Sequence, residues 1–177
     1  MCDEKTIEIS GTNNRYLIKK LKKEHKEIKT RKITEKMGLP TESFFIDNQC
    51  AILKELCDIV DKPQCKQALS QLDVKLTSYK HQDIIKKRYN ESSFIKTKEV
   101  IEKLCDCSLE CHYCKEKTYI LYDIVRETKQ WTLDRINNDL GHNTDNVVIA
   151  CLDCNLKRRR TSKDAFLFTK QLHIVKS

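Results

Sequence analysis

Glycine and proline are scarce in this chain, three and two residues in 177, which argues against loop-rich sandwiches, collagen-like repeats and flexible low-complexity linkers. No apolar run approaches the roughly 18 residues of a membrane span, so no membrane partner is expected. Tryptophan occurs once and aromatic residues make up 7%; no cluster of them forms a platform on which bases could stack. A secretory leader is also missing from the first residues, Met1-Cys2-Asp3-Glu4-Lys5, so an intracellular, reducing compartment is expected.

What the chain does have is charge and cysteine. Thirty-four Lys and Arg against 26 Asp and Glu leave a net +8, the sign a nucleic-acid partner favours. The excess is uneven. Residues 12–36 hold ten basic against three acidic side chains and residues 151–177 hold seven against two, whereas residues 101–150 carry six against nine. Positive charge thus flanks a segment rich in carboxylates.

Apolar spacing divides the chain into three parts. A lysine-rich helix with a thin line of Leu17, Leu21 and Ile28 is expected over ~14–30, either a nucleic-acid-binding arm or a solvated helix. Met37-Gly38-Leu39-Pro40 closes this first part, 1–40, as a linker. A helical region follows over 41–104: Ile52, Leu53, Leu56, Ile59 and Val60 mark one helix, and Ala68, Leu69, Leu72 and Leu76 mark a second opened by Pro63. Phe94, Ile95, Ile101 and Leu104 mark a third. This region could also offer a surface to a protein partner. The third part, 105–177, contains the cysteine pairs.

Cys111 and Cys114, then Cys151 and Cys154, are two Cys-x-x-Cys pairs 36 residues apart. Each pair turns two sulfurs toward one point, and four thiolates at this spacing suit a tetrahedral structural Zn2+. Of the remaining cysteines, Cys50 and Cys57 lie among apolar residues at helical spacing and are expected to be buried thiols. Cys105 and Cys107 are alternative ligands, as is His112 inside the first pair. Between the pairs, Tyr119–Tyr122, Trp131–Ile136 and Val147–Ala150 have the branched and aromatic content of strands. A polar loop over 137–145 separates the last two, and a helix from Leu152 to about Arg160 follows. A final helix is expected to close the core with Phe166, Leu167, Phe168 and Leu172. The class is therefore α+β.

Cys111-His-Tyr-Cys114, Leu133-Asp-Arg-Ile136, Gly141-His142, Asp145-Asn146, Cys151-Leu-Asp-Cys-Asn155 and Lys157 together resemble the HNH, or His-Me finger, endonuclease family over residues ~105–175, in its zinc-bound form. The resemblance implies a treble-clef-like ββα-metal domain in which Mg2+ or Mn2+ binds the scissile phosphate. It implies Asp134 and Asn155 as ligands of that cation, Asn146 as the residue that pins the loop and orients the base, and nucleic acid, DNA ahead of RNA, as substrate. The family's catalytic histidine would fall at position 135, where this chain has Arg135. A guanidinium has no acceptor lone pair and stays protonated, so Arg135 cannot be the base.

Three readings follow. His142, seven residues on, supplies the imidazole while Arg135 clamps a phosphate oxygen. Alternatively, catalysis is lost and Arg135, Lys157, Arg158, Arg159 and Arg160 hold nucleic-acid phosphates. In the third, Arg135 bridges Asp134 or Asp139 in a purely structural zinc module.

Overall fold

The computed structural model describes residues 28–32, 38–58 and 60–171. All of the expected lysine-rich helix except its end lies outside these residues, as do Ile59 and Leu172. The first long element is α1, Ile46–Cys57, which buries Ile52, Leu53 and Leu56 on one stripe. Next comes α2, Pro63–Ile85, with proline in its first turn, where a missing N–H breaks no helical hydrogen bond. Its apolar stripe of Ala68, Leu72 and Leu76 meets Val100 and Leu104 of α3, Thr97–Asp106. Glu99 holds the start of α3 by accepting the Lys96 N–H at 2.8 Å.

Strand β1, Trp131–Arg135, pairs antiparallel with β2, Val147–Cys151, in the register Trp131↔Cys151, Leu133↔Ile149 and Arg135↔Val147. Helix α4, Leu152–Arg158, follows β2 directly, and α5, Lys163–Gln171, ends the described chain. Strand alternation decides which face each residue meets. Trp131 and Leu133 join the helical core with Ile120, Leu121, Val147 and Ile149. Thr132 and Asp134, also buried, contact Asn155, Arg158 and Tyr113. Each fully buried Leu, Ile or Val in such a core contributes about 1.5–3 kcal/mol. The architecture is a helical region followed by a small antiparallel sheet and further helices.

Several expectations are corrected. Tyr119–Tyr122 is not a strand: it makes one parallel bridge, Tyr119 to Gln130, and is held by the buried Gln49 of α1. That amide accepts the Ile120 and Leu121 N–H groups at 2.7 and 3.0 Å and donates to Leu121 O at 3.0 Å. Here a side chain replaces a strand partner. Cys57 is not a lone buried thiol, and Cys105 is not a metal ligand; the two are joined in a disulfide between the ends of α1 and α3. Cys50 is only half-buried. Phe166 closes the core beside the second cysteine pair, but Phe168 is 63% exposed.

The outer edge of β1, which faces away from β2, is paired with α2. Gln71, Lys75, Tyr79 and Asp83 recur every four residues and so share one helix face. Lys75 Nζ donates to Trp131 O, the Leu133 N–H donates to Tyr79 Oη at 3.2 Å, and Asp83 reaches the loop beyond. Gln71 accepts from Arg31 at 2.9 Å. Polar side chains thus satisfy an edge that would otherwise leave backbone groups unpaired. Burial between the rings of Trp131 and Tyr122, at 4.7 and 5.2 Å, together with nearby Arg31, pulls Lys75 down to about 7.

Between that value and the ~10.4 of an unfolded lysine, the unfolded chain binds more protons than the folded one, so this group makes stability rise with pH. Urea unfolding at pH 7, 8 and 9 should show this rise in the natural protein and a flatter dependence in Lys75→Met. An identical slope in the two would show that Lys75 is not the group responsible.

Candidate metal centre and candidate active site

Cys111 and Cys114 sit on a tight turn in which the Lys115 N–H donates to Cys111 O at 3.0 Å and Lys115 takes a left-handed φ of 61°. The His112 N–H donates to Ile149 O at 2.8 Å, fastening this turn to β2. Cys151 ends β2 and Cys154 lies in the first turn of α4, where its N–H points at Cys151 Sγ, 3.4 Å away. The four sulfurs lie within 4.8 Å of one another. Cys114 and Cys151 are 3.8 Å apart, and the sulfur–sulfur edge of a tetrahedron with ~2.3 Å zinc–sulfur bonds is about 3.8 Å. Three of the four are buried. The donor set therefore fits a metal ion such as Zn2+.

Among the four thiols, the hydrogen bond with Cys151 holds Cys111 below the ordinary thiol value and pushes Cys151 upward, while burial raises Cys154. A metal must displace the protons of the raised thiols, so its affinity falls on acidification. His112 is not part of the cluster; its ring lies edge-on to Tyr113, with centroids 5.1 Å apart.

Asp134 lies on the face of β1 toward this cluster, and its carboxylate is fully engaged. Tyr113 Oη donates to Oδ2 at 2.5 Å, Arg158 Nη2 donates to Oδ1 at 3.0 Å, and Arg158 Nε stands 2.6 Å from Oδ2. Arg158 is 1% exposed. It also donates to Thr161 O at 2.6 Å and to Arg135 O. Among the arginines expected to grip phosphates, Arg158 is thus withdrawn into the interior, whereas Lys157, Arg159 and Arg160 are exposed. Lys157 pairs with Asp153 at 2.7 Å. Asn155 Nδ2 donates to Thr132 Oγ1 at 3.0 Å and to Leu133 O at 3.4 Å. A hard divalent cation does not fit at Asp134 in this arrangement, because it would have to displace a buried guanidinium and a phenol from the carboxylate it needs.

The adjacent residue points elsewhere. Arg135 Nη1 donates to Leu140 O at 3.2 Å and lies 3.8 Å from Asp83 Oδ1. Asp83, fully buried, accepts the backbone N–H of His142 at 2.6 Å and faces its Nδ1 at 2.9 Å. Tyr79 covers the imidazole, with ring centroids 4.5 Å apart. With Nδ1 held by a carboxylate, the neutral ring carries its proton there and leaves Nε2 as the acceptor. No hydrogen bond to Nε2 occurs among the described residues. Burial lowers the His142 pKa, Asp83 opposes that, and Arg135 and Lys86 add to the lowering.

Asn146 fastens the loop that carries His142. Its Oδ1 accepts the Asn137 N–H at 2.9 Å and its Nδ2 donates to Asn137 O and Gly141 O at 3.0 and 2.9 Å. Gly141 permits the close approach: a Cβ there would lie 2.5 Å from Arg88 O and 3.0 Å from Asp83 Oδ2. Asp83 and Tyr79 belong to no motif. Their only trace in the sequence is the four-residue recurrence on α2, which without the position of β1 reads as an ordinary solvated face. The expected site residues are thus divided: Arg135 and His142 meet Asp83, with Asn146 fastening their loop, while Asp134 and Arg158 close on each other and Asn155 on the β1 residues Thr132 and Leu133.

Searches against protein-family models, curated proteins and solved structures return no match to this chain.

Arg158→Leu should cost about 3–5 kcal/mol, because it leaves Asp134 buried without its counter-charge, and Asp134→Asn combined with Arg158→Leu should recover part of that loss in chemical denaturation. Equal costs would mean that the ion pair is not what holds this corner. Titration of reduced, metal-free protein with Co2+ should give one equivalent of tetrahedral thiolate absorption, weaker at pH 5.5 than at pH 7.5; Cys114→Ala should lose it.

Proposed function

We propose that this protein is a zinc-stabilised endonuclease of the HNH type whose general base is His142, oriented by Asp83, with Arg135 meeting the charge of the scissile phosphate. The observation that carries the reading is the buried Asp83–His142 pair with the Arg135 guanidinium 3.8 Å from the same carboxylate. A base oriented through one ring nitrogen, beside a fixed cation, is the pairing that proton abstraction near a phosphodiester needs. Zn2+ in the four-cysteine cluster would brace β2 against the start of α4 and thereby hold β1 and the His142 loop. Exposed Lys157, Arg159 and Arg160, with the chain's net +8, suit a polyanionic substrate.

Within the site, Asp83 keeps the proton on Nδ1 and stabilises the imidazolium formed when Nε2 accepts a proton. Arg135 is held by Leu140 O and Asp83, so it offers its charge without reorganising. Tyr79 excludes water from one side of the ring. Its own hydroxyl, raised to about 12 by burial, stays protonated at neutral pH and acts only in positioning.

A second reading is favoured by the Arg158–Asp134 pair, which fills the place of a cation ligand: a binding module that holds nucleic acid without cutting it. At least one of plasmid, single-stranded DNA and RNA should be cleaved by the natural protein, with His142→Ala slowed about 100-fold or more and Asp83→Asn slowed less, while binding persists in both. The lowered His142 pKa means that the imidazole protonates, and the rate falls, only below the ordinary ~6.5. Salt-sensitive binding with no cleavage under any condition would establish the binding module instead.

A further inference from the structure

We infer that the strand cut at this site is RNA, and that the attacking group is the substrate's own 2′-hydroxyl. The inference rests on His142 acting as the base and goes further, to the nucleophile and the sugar it recognises.

The argument begins with the acids. Hydrolysis of DNA needs an external water, and a metal that lowers the pKa of that water is the usual means of making it a nucleophile near neutral pH. Such a cation needs open oxygen ligands. Of the carboxylates placed against Arg135, His142 and the loop between them, Asp134 is closed by Arg158 and Tyr113. Asp83 is consumed by the ring and backbone of His142 and faced by Arg135. Asp139 is 91% exposed and lies 3.6 Å from Arg88. The other charges that the geometry places here are cationic: Arg135, 3.8 Å from Asp83 Oδ1, and Arg88, whose backbone N–H donates to Asp83 O at 2.8 Å. They would repel a divalent cation and attract a phosphate directly.

A site with a neutral base and fixed cations, whose single exposed carboxylate of these three, Asp139, faces Arg88, suits a reaction whose nucleophile arrives with the substrate. In RNA the 2′-hydroxyl is held next to the phosphorus, and intramolecular placement of this kind is worth effective molarities of about 10^5 M or more. His142 Nε2 takes the 2′-hydroxyl proton as the O2′–P bond forms. The P–O5′ bond breaks, and the departing O5′ takes a proton from solvent water. Arg135 neutralises the additional charge on the non-bridging oxygens. The products are a 2′,3′-cyclic phosphate and a 5′-hydroxyl end, and His142 then returns its proton to solvent, so the step needs no oxidant, reductant or cation.

The test uses zinc-loaded natural protein in EDTA, with zinc content checked afterwards, on three labelled strands of one sequence: RNA, DNA and 2′-O-methyl RNA. Only RNA should be cut, with a 2′,3′-cyclic phosphate identified by mass and less than about a threefold change on adding Mg2+. His142→Ala and His142→Gln, purified in the same way, should be slower by about 100-fold, and electron paramagnetic resonance should show added Mn2+ remaining free. Cleavage that requires Mg2+ and takes DNA as readily as RNA would overturn this inference while leaving the nuclease reading intact. RNA cleavage unchanged in both variants would mark a contaminant and overturn it too. No cleavage of any strand by folded, zinc-loaded, RNA-binding protein would overturn both.

Discussion

The corner where β1, the 137–143 loop and α4 meet depends on one buried ion pair, Asp134 with Arg158. Two charges removed from water cost several kcal/mol each unless their hydrogen bonds are met, and here most are: Tyr113 completes the carboxylate, Thr161 O and Arg135 O take guanidinium donors, and Nε faces Asp134 at 2.6 Å as an ion pair without hydrogen-bond geometry. Any shift of α4 along β1 would strand a charge in the interior. The pair therefore sets the register of α4, and with it the position of Cys154 relative to Cys111 and Cys114. The same pair closes the carboxylate that an HNH-like site would use for a cation, so stability and metal chemistry compete for Asp134.

The other face of β1 follows a different constraint. A two-stranded sheet leaves outer backbone groups that must be paired, and α2 meets them with Lys75 and Tyr79 before reaching Asp83 in its last turn. That arrangement places a helix of the first hundred residues alongside the loop that follows the strand. Asp83, at the end of the row, finds the His142 N–H and imidazole within reach. The candidate active site thus arises where edge protection of a strand runs past the strand's end, and its chemistry cannot be separated from the helical region. Scarcity of glycine also has a backbone consequence: Lys87, Ser108, Leu109, Lys115, Arg126 and Arg159 occupy left-handed conformations, each at a cost of roughly 1–2 kcal/mol. Several of these sit at the turns that shape the two sites, including Lys87 beside Arg88 and Lys115 after Cys114.

The cysteine cluster was legible from spacing alone, because a Cys-x-x-Cys turn is local and two such turns constrain four sulfurs almost regardless of what surrounds them. Helices α1, α2 and α3 and both strands were legible too, since three-and-four spacing and branched-residue content are properties of short windows. The 119–122 segment misled for the same reason: its composition suits a strand, yet a Gln49 amide 71 residues away satisfies its backbone. Arg158 misled because a run of four basic residues looks solvated in one dimension, while helical geometry turns one of the four inward.

By itself, then, the sequence determined the α+β class, the four clustered sulfurs, the loop that carries Gly141 and His142, and the inability of Arg135 to act as a base. All of these follow from residue chemistry or from spacing within a few positions. Only the tertiary structure decided which carboxylate serves the histidine, which arginine is buried and whether Asp134 is open to a cation. Those outcomes depend on pairings between residues 24 to 59 positions apart, and which pairings form is set by how the helical core packs against the two faces of one five-residue strand.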